Sequence, residues 1–293
     1  MSRKATTVKR TSRTRMIRVG HTPDMDDAFM FYGIDCGGVE TGTLRFEHVV
    51  EDIQALNVRA RTAALEVTAI SAASYPGLAK DYWILAVGSS VGQGYGPLVI
   101  AKEPCAPASL VGKPVAIPGP QTTAYLLLSL AIPGIEPVPM RFEEVPAAVL
   151  EGRVAAGLVI HEWQLTYRDA GLLPILDLGN WWQQQTKLPL PLGLNCVKRS
   201  LGRPTAQRVA TILRNSILYA FAHQEGALAY AMRYARGTDP VRARQFIGMY
   251  VNDDSLTLSK PCREALRLLY KRAHTAGLIP RQPRLEIIEP AVR

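Results

Sequence analysis

From residue 16 to about residue 200, short apolar runs alternate with segments whose apolar positions recur every three or four residues. Residues 16–20 read as a first strand. The segment His21-Thr-Pro-Asp-Met-Asp-Asp follows as a loop that opens a helix. Pro23 breaks the strand, and Asp24 and Asp26 are N-cap candidates ahead of Ala28-Phe-Met-Phe-Tyr. Residues 44–49 alternate like a strand and 51–61 like a helix. Residues 67–70 form an apolar strand ending at Ser71, and 82–87 form another. The glycine-rich stretch 88–96 reads as a flexible crossover between two lobes, ahead of a strand at 97–101. Residues 115–117 make a strand closed by Pro118-Gly119-Pro120, and a buried helix starts at Thr122. A strand at 141–145, a helix at 146–151 and a strand at 157–160 ending at His161 complete this region. From Pro204 the pattern is helical, over 206–224, 226–236, 240–250 and 260–276.

Strands alternating with helices predict an α/β fold with mostly parallel sheets. At 293 residues the chain exceeds one small core and suits two α/β lobes around a central cleft. The chemically versatile residues cluster where strands end and helices begin, which is where ligands bind in open α/β sheets.

Charge changes this picture little. The net charge of +9 includes Arg3, Lys4, Lys9, Arg10, Arg13 and Arg15, and residues 1–15 hold no acid. Setting those six aside leaves +3 for the other 278 residues. The basic segment reads as a disordered tail, and a nucleic-acid partner is not expected. No apolar stretch follows the tail and none is long enough to span a bilayer, so a cytoplasmic protein without membrane insertion is expected. Cys36, Cys105, Cys196 and Cys262 are widely spaced, which argues against a disulfide framework or a zinc site.

Five stretches hold candidate chemistry. The carboxylates of Asp24, Asp26 and Asp27 at a helix start are either capping acids or oxygen ligands for Mg²⁺. The turn Gly119-Pro-Gln-Thr-Thr-Ala precedes a helix, and free N–H groups at Thr122, Thr123 and Ala124 would suit a carboxylate or phosphate. A buried strand delivers His161, a residue type able to act as general base near neutral pH. Glu162 follows it, but neighbours on a strand point to opposite faces. Gly88-Ser-Ser90-Val-Gly92 fits a nucleophile-elbow spacing, yet no helix follows, so a serine hydrolase is not expected. Trp181 and Trp182 either wall an aromatic ligand or pack in the core.

Taken together, 20–33, 49–57, 69–75, 92–101, 115–130, 157–167, 177–193 and 250–259 resemble the 1,4-dihydroxy-6-naphthoate synthases of menaquinone biosynthesis, in order and spacing. The most specific elements are Ile160-His161-Glu162, Thr122-Thr-Ala-Tyr and Leu188-Pro-Leu-Pro-Leu-Gly193. The resemblance implies a type II periplasmic-binding-protein-like fold used as an enzyme. It implies a lyase of the futalosine route, converting cyclic de-hypoxanthine futalosine to 1,4-dihydroxy-6-naphthoate, with no metal or organic cofactor. It places the catalytic histidine at His161, a ligand-contacting serine at Ser71 and the helix-start threonine at Thr123, with Thr122 beside it. The lobes are expected at 16–97 with 196–293, and at 98–195. Trp163 and Lys187 depart from the family's pattern, Lys187 standing where glycine is usual, and Trp163 is expected to narrow the pocket. Two rival readings share the fold: a non-catalytic solute-binding protein for a small carboxylate, and a chorismate dehydratase-like enzyme.

Overall fold

The computed structural model describes residues 14–235 and 239–291. The expected disordered tail falls, for residues 1–13, outside the described residues. Arg15 opens the first strand, β1 (Arg15–His21).

Among the described residues, twelve strands form two sheets. The first holds β1, β2 (Leu44–Val50), β3 (Val67–Ser71), β4 (Tyr82–Leu85), β5 (Ser90–Gly92), β11 (Leu190–Lys198) and β12 (Ile287–Ile288), in the order β12-β4-β11-β3-β1-β2 with β5 beside β11. The second holds β6 (Leu98–Ala101), β7 (Pro114–Ile117), β8 (Glu136–Pro139), β9 (Ala156–Val159) and β10 (Leu173–Asp177), in the order β10-β6-β9-β7-β8. Each sheet is the backbone of one α/β lobe, and the cleft lies between them.

The expectation of mostly parallel sheets needs correcting. β1 pairs parallel with β2 and β3, and β7 with β8 and β9. But β11 runs antiparallel to β3, β4 and β5, and β6 antiparallel to β9 and β10. These are the strands on either side of the two chain crossings. A chain that leaves one sheet and returns enters the new sheet against the direction of its neighbours. The strand expected at 141–145 is also absent. Phe142–Glu144 is a 3₁₀ turn leading into the helix Val145–Leu150, and the neighbouring strand is β8.

Capping places the helix starts. Asp52 accepts from Ala55 N at 3.0 Å at the head of Ile53–Ala60. Thr122 accepts from Tyr125 N at 3.2 Å at the head of Thr123–Ala131. One apolar core joins both sheets through Ile70, Val99, Val115, Leu158 and Leu194. A second packs the helices Met25–Asp35 and Arg203–Ala222 on the outer face of the first sheet. Trp182 lies wholly buried in the joint core, and its indole N–H donates to Pro189 O at 2.9 Å. No described helix is long and apolar enough to cross a membrane.

Candidate active site

Loops at the ends of strands from both sheets converge on one cavity. The first lobe supplies Thr22, Asp24, Asp26 and Asp27 after β1, Ser71 at the end of β3, and Gly193 to Asn195 in β11. The second lobe supplies Thr122, Thr123 and Ala124 after β7, and Ile160 and His161 after β9. All five residues expected at the site, Ser71, Thr122, Thr123, Ala124 and His161, therefore line the same cavity.

His161 does not stand on its strand. β9 stops at Val159, and His161 adopts a left-handed backbone conformation with φ 55°. A side chain in that region costs roughly 1–2 kcal/mol, and such residues concentrate at functional sites. The turn points the imidazole across the cleft, with Nδ1 3.2 Å from Asp24 Oδ2. The Phe142 ring meets the imidazole edge-on at 4.8 Å. Glu162 takes the N-cap position of the short helix Trp163–Thr166 and does not line the cavity.

The helix start opposite is tightly built. Gly119 (φ 147°) gives the turn its shape, and a Cβ there would collide with the Gln54 side chain at 2.4 Å. Thr122 Oγ1 donates to Gly119 O at 2.8 Å while serving as cap. Thr123 Oγ1 donates to Leu192 O at 2.7 Å and accepts from Ala73 N at 3.1 Å. Both hydroxyls are thus engaged with protein. The groups left for a ligand are the first-turn N–H groups of Thr123 and Ala124, which have no acceptor within the helix. Ser71 is held by Asn57: Ser71 N donates to its Oδ1 at 2.8 Å, and its Nδ2 donates to Ser71 Oγ at 3.0 Å.

The three aspartates have separate surroundings. Asp27 accepts from Thr22 N and Thr22 Oγ1, both at 2.7 Å, and burial pushes its pKa up. Asp26 accepts from Ser90 Oγ at 3.3 Å. Burial, then the charges of Asp27 and Asp24, push the Asp26 carboxyl well above the ordinary carboxylate range. Asp24 sits at the N-cap position of Met25–Asp35 but makes no cap hydrogen bond. Among the described residues, no group of three or more His, Cys, Asp or Glu is arranged to hold a metal ion. His21 packs away from the cavity, stacked on Phe31 at 5.0 Å, with Nδ1 2.8 Å from Thr22 O. Burial lowers its pKa.

Residues 17–275 match the family model described as menaquinone biosynthesis. The chain belongs to the menaquinone biosynthesis family. It is 38% identical over 268 residues to a 1,4-dihydroxy-6-naphthoate synthase of Thermus thermophilus, covering 92% of this chain and 97% of that one. A crystal structure of an Archaeoglobus fulgidus protein matches with TM-score 0.87 and 50% identity, over 90% of this chain and 98% of the other. The alkanesulfonate-binding protein SsuA of Xanthomonas axonopodis, solved with bound MOPS, matches with TM-score 0.74 over 95% of this chain and all (100%) of its own. At 13% identity that likeness concerns the fold, a periplasmic-binding-protein-like pair of lobes.

In this menaquinone biosynthesis family member, sequence reasoning missed several residues of the site. The sequence offers Asp24 as a capping acid or a cation ligand, and its approach to His161 depends on tertiary structure 137 positions along the chain. Gln164 and Tyr250 also line the cavity, and the Gln164 amide lies 2.6 Å from the Tyr250 hydroxyl across the two lobes. Their one sequence signal was membership of two matching segments. Asn195, wholly buried, donates from Nδ2 to Gly88 O at 2.7 Å. Trp163 is absent from the cavity wall and packs against the apolar cores, contrary to the expectation that it narrows the pocket. Trp181 and Trp182 do not line it either. Ser90 lines the cavity but opens a strand, β5, with no helix behind it.

Proposed function

We propose that this chain is a carbon–carbon lyase of menaquinone biosynthesis that converts cyclic de-hypoxanthine futalosine to 1,4-dihydroxy-6-naphthoate. The observation that carries the reading is that His161 and the helix start at Thr123–Ala124 face one cavity, in a chain of the menaquinone biosynthesis family that is 38% identical to a 1,4-dihydroxy-6-naphthoate synthase.

The substrate joins an aromatic carboxylate to a spiro-linked sugar. The N–H groups of Thr123 and Ala124, at the positive end of Thr123–Ala131, suit the carboxylate. Ser71, fixed by Asn57, offers a further polar contact. His161 takes a proton from the sugar portion. Elimination and carbon–carbon cleavage then release the aromatic product and a small sugar-derived fragment, and aromatisation supplies driving force. The protein's share is a base, orientation and exclusion of water, and lobe closure serves the last two. The expected lobes, 16–97 with 196–293 and 98–195, carry over to this reading with one change: β11 as a whole (Leu190–Lys198) pairs in the first sheet, so residues 190–195 go with the first lobe. The chemistry takes place in the cytoplasm and needs no cofactor.

The test is incubation of purified protein with cyclic de-hypoxanthine futalosine, followed by mass spectrometry. Appearance of 1,4-dihydroxy-6-naphthoate supports the reading. Tight binding of a small carboxylate with no product would return the protein to the solute-binding class.

A further inference from the structure

We propose that Asp24 is a positioning residue for His161, and that closing the two lobes assembles this pair into a working base. The inference rests on the reading of His161 as general base. Its geometric ground is the 3.2 Å approach of His161 Nδ1 to Asp24 Oδ2, which crosses the cleft. Asp24 follows β1 of the first sheet, and His161 follows β9 of the second.

The backbone at His161 holds a locally unfavourable arrangement at this contact, and the Asp24 side chain is not used as a helix cap. Asp24 is at an N-cap position, extended, yet makes no cap hydrogen bond with its own helix. An aspartate there ordinarily accepts from a first-turn N–H. Only 3% of it is exposed. His161 adopts φ 55°, a region its Cβ disfavours. The two acids next to Asp24 are engaged elsewhere, Asp27 with Thr22 and Asp26 with Ser90. Phe142 bounds the imidazole edge-on at 4.8 Å.

A carboxylate that accepts from Nδ1–H fixes the tautomer in which Nε2 is bare. Nε2 then receives the substrate proton, and the imidazolium forms beside a negative charge already in place. Further contacts cross the cleft and register the lobes at this spacing, among them Gln164 with Tyr250 (2.6 Å), Gln121 N with Gln54 Oε1 (3.0 Å), Ala73 N with Thr123 Oγ1 (3.1 Å) and Arg242 with Asp169 (2.6 Å). Opening the cleft parts His161 from Asp24, so the base is complete only around an enclosed substrate.

The test compares wild type, Asp24→Asn, His161→Asn and the double variant on cyclic de-hypoxanthine futalosine. Asp24→Asn is expected to lower kcat about 10²–10⁴-fold with KM little changed, and the double variant to be no slower than His161→Asn alone. An Asp24→Asn protein with wild-type kcat beside an inactive His161→Asn protein would overturn this inference and leave the base reading intact. An active His161→Asn protein would overturn both. The tautomer gives a second readout that requires no folded variant. In wild-type protein saturated with 1,4-dihydroxy-6-naphthoate, ¹⁵N NMR of His161 should show the proton on Nδ1. A proton on Nε2 would overturn the proposal.

Discussion

Two side chains show how local cost marks a special position. Lys187 ends the helix Leu178–Thr186 with φ 60°, the left-handed conformation that glycine adopts freely. The family resemblance had flagged lysine there as a departure from glycine, and the backbone supplies the reason for the usual residue. The left-handed conformation costs an L-residue roughly 1–2 kcal/mol, offset in part by the entropy a glycine loses on folding. Lys187→Gly should therefore stabilise the fold by about 0.5–1 kcal/mol in urea denaturation. A destabilised variant would show that the lysine side chain contributes contacts that outweigh its backbone strain. Asp26 gives a pH-dependent case. Its folded-state pKa is raised, chiefly by burial. Its contribution is therefore fully present below the unfolded value, about 3.9, and is lost as pH rises through the folded one. Asp26→Asn cannot ionise. Relative to wild type it should gain stability as pH climbs from about 4 towards 8. Parallel stability–pH curves for the two proteins would contradict the burial argument.

At the scale of elements, the crossings between lobes depend on close backbone approach. A Cβ at Gly179 would lie 2.0 Å from Tyr95 C and 2.3 Å from Gly96 N. The glycine-rich stretch is thus packed against the start of the Leu178–Thr186 helix. It also contains β5, which the glycines hid from sequence reading because they carry no alternating side chains. Gly179→Ala should cost at least about 2 kcal/mol, measured by thermal unfolding, because backbone must move and not only a side chain. A variant with unchanged melting temperature would show that the crossing has slack. The strands that the sequence pattern revealed were those with a short apolar run or a clear alternation, β1 to β4, β6, β7 and β9. β8 escaped because its prolines on a sheet edge read as loop, and β12 because a two-residue strand has no period. The strand expected at 141–145 is absent because its buried residues, Phe142 and Val145, are three apart, the spacing of a turn leading into a helix and not of a strand.

At the scale of the whole molecule, the site was legible where it follows from strand ends. Ser71, Thr122, Thr123, Ala124 and His161 each sit just past a short apolar run, and that placement brings them to one cavity. What the sequence pattern left hidden is pairing between lobes. The approach of Asp24 to His161, of Tyr250 to Gln164 and of Gln54 to Gln121 each depends on how two separately wound sheets face each other. The fold shared with sulfonate-binding proteins does not itself assign chemistry. In the function proposed above, the cleft becomes a reaction chamber because one wall presents His161 and the other Asp24.

The most direct test of that account is turnover of cyclic de-hypoxanthine futalosine by wild type and by His161→Asn, with product followed by mass spectrometry and ligand affinity by calorimetry. The account predicts 1,4-dihydroxy-6-naphthoate from wild type, a loss of about 10²–10⁴-fold in kcat for the variant, and retained affinity. Undiminished turnover by a folded His161→Asn protein would contradict it.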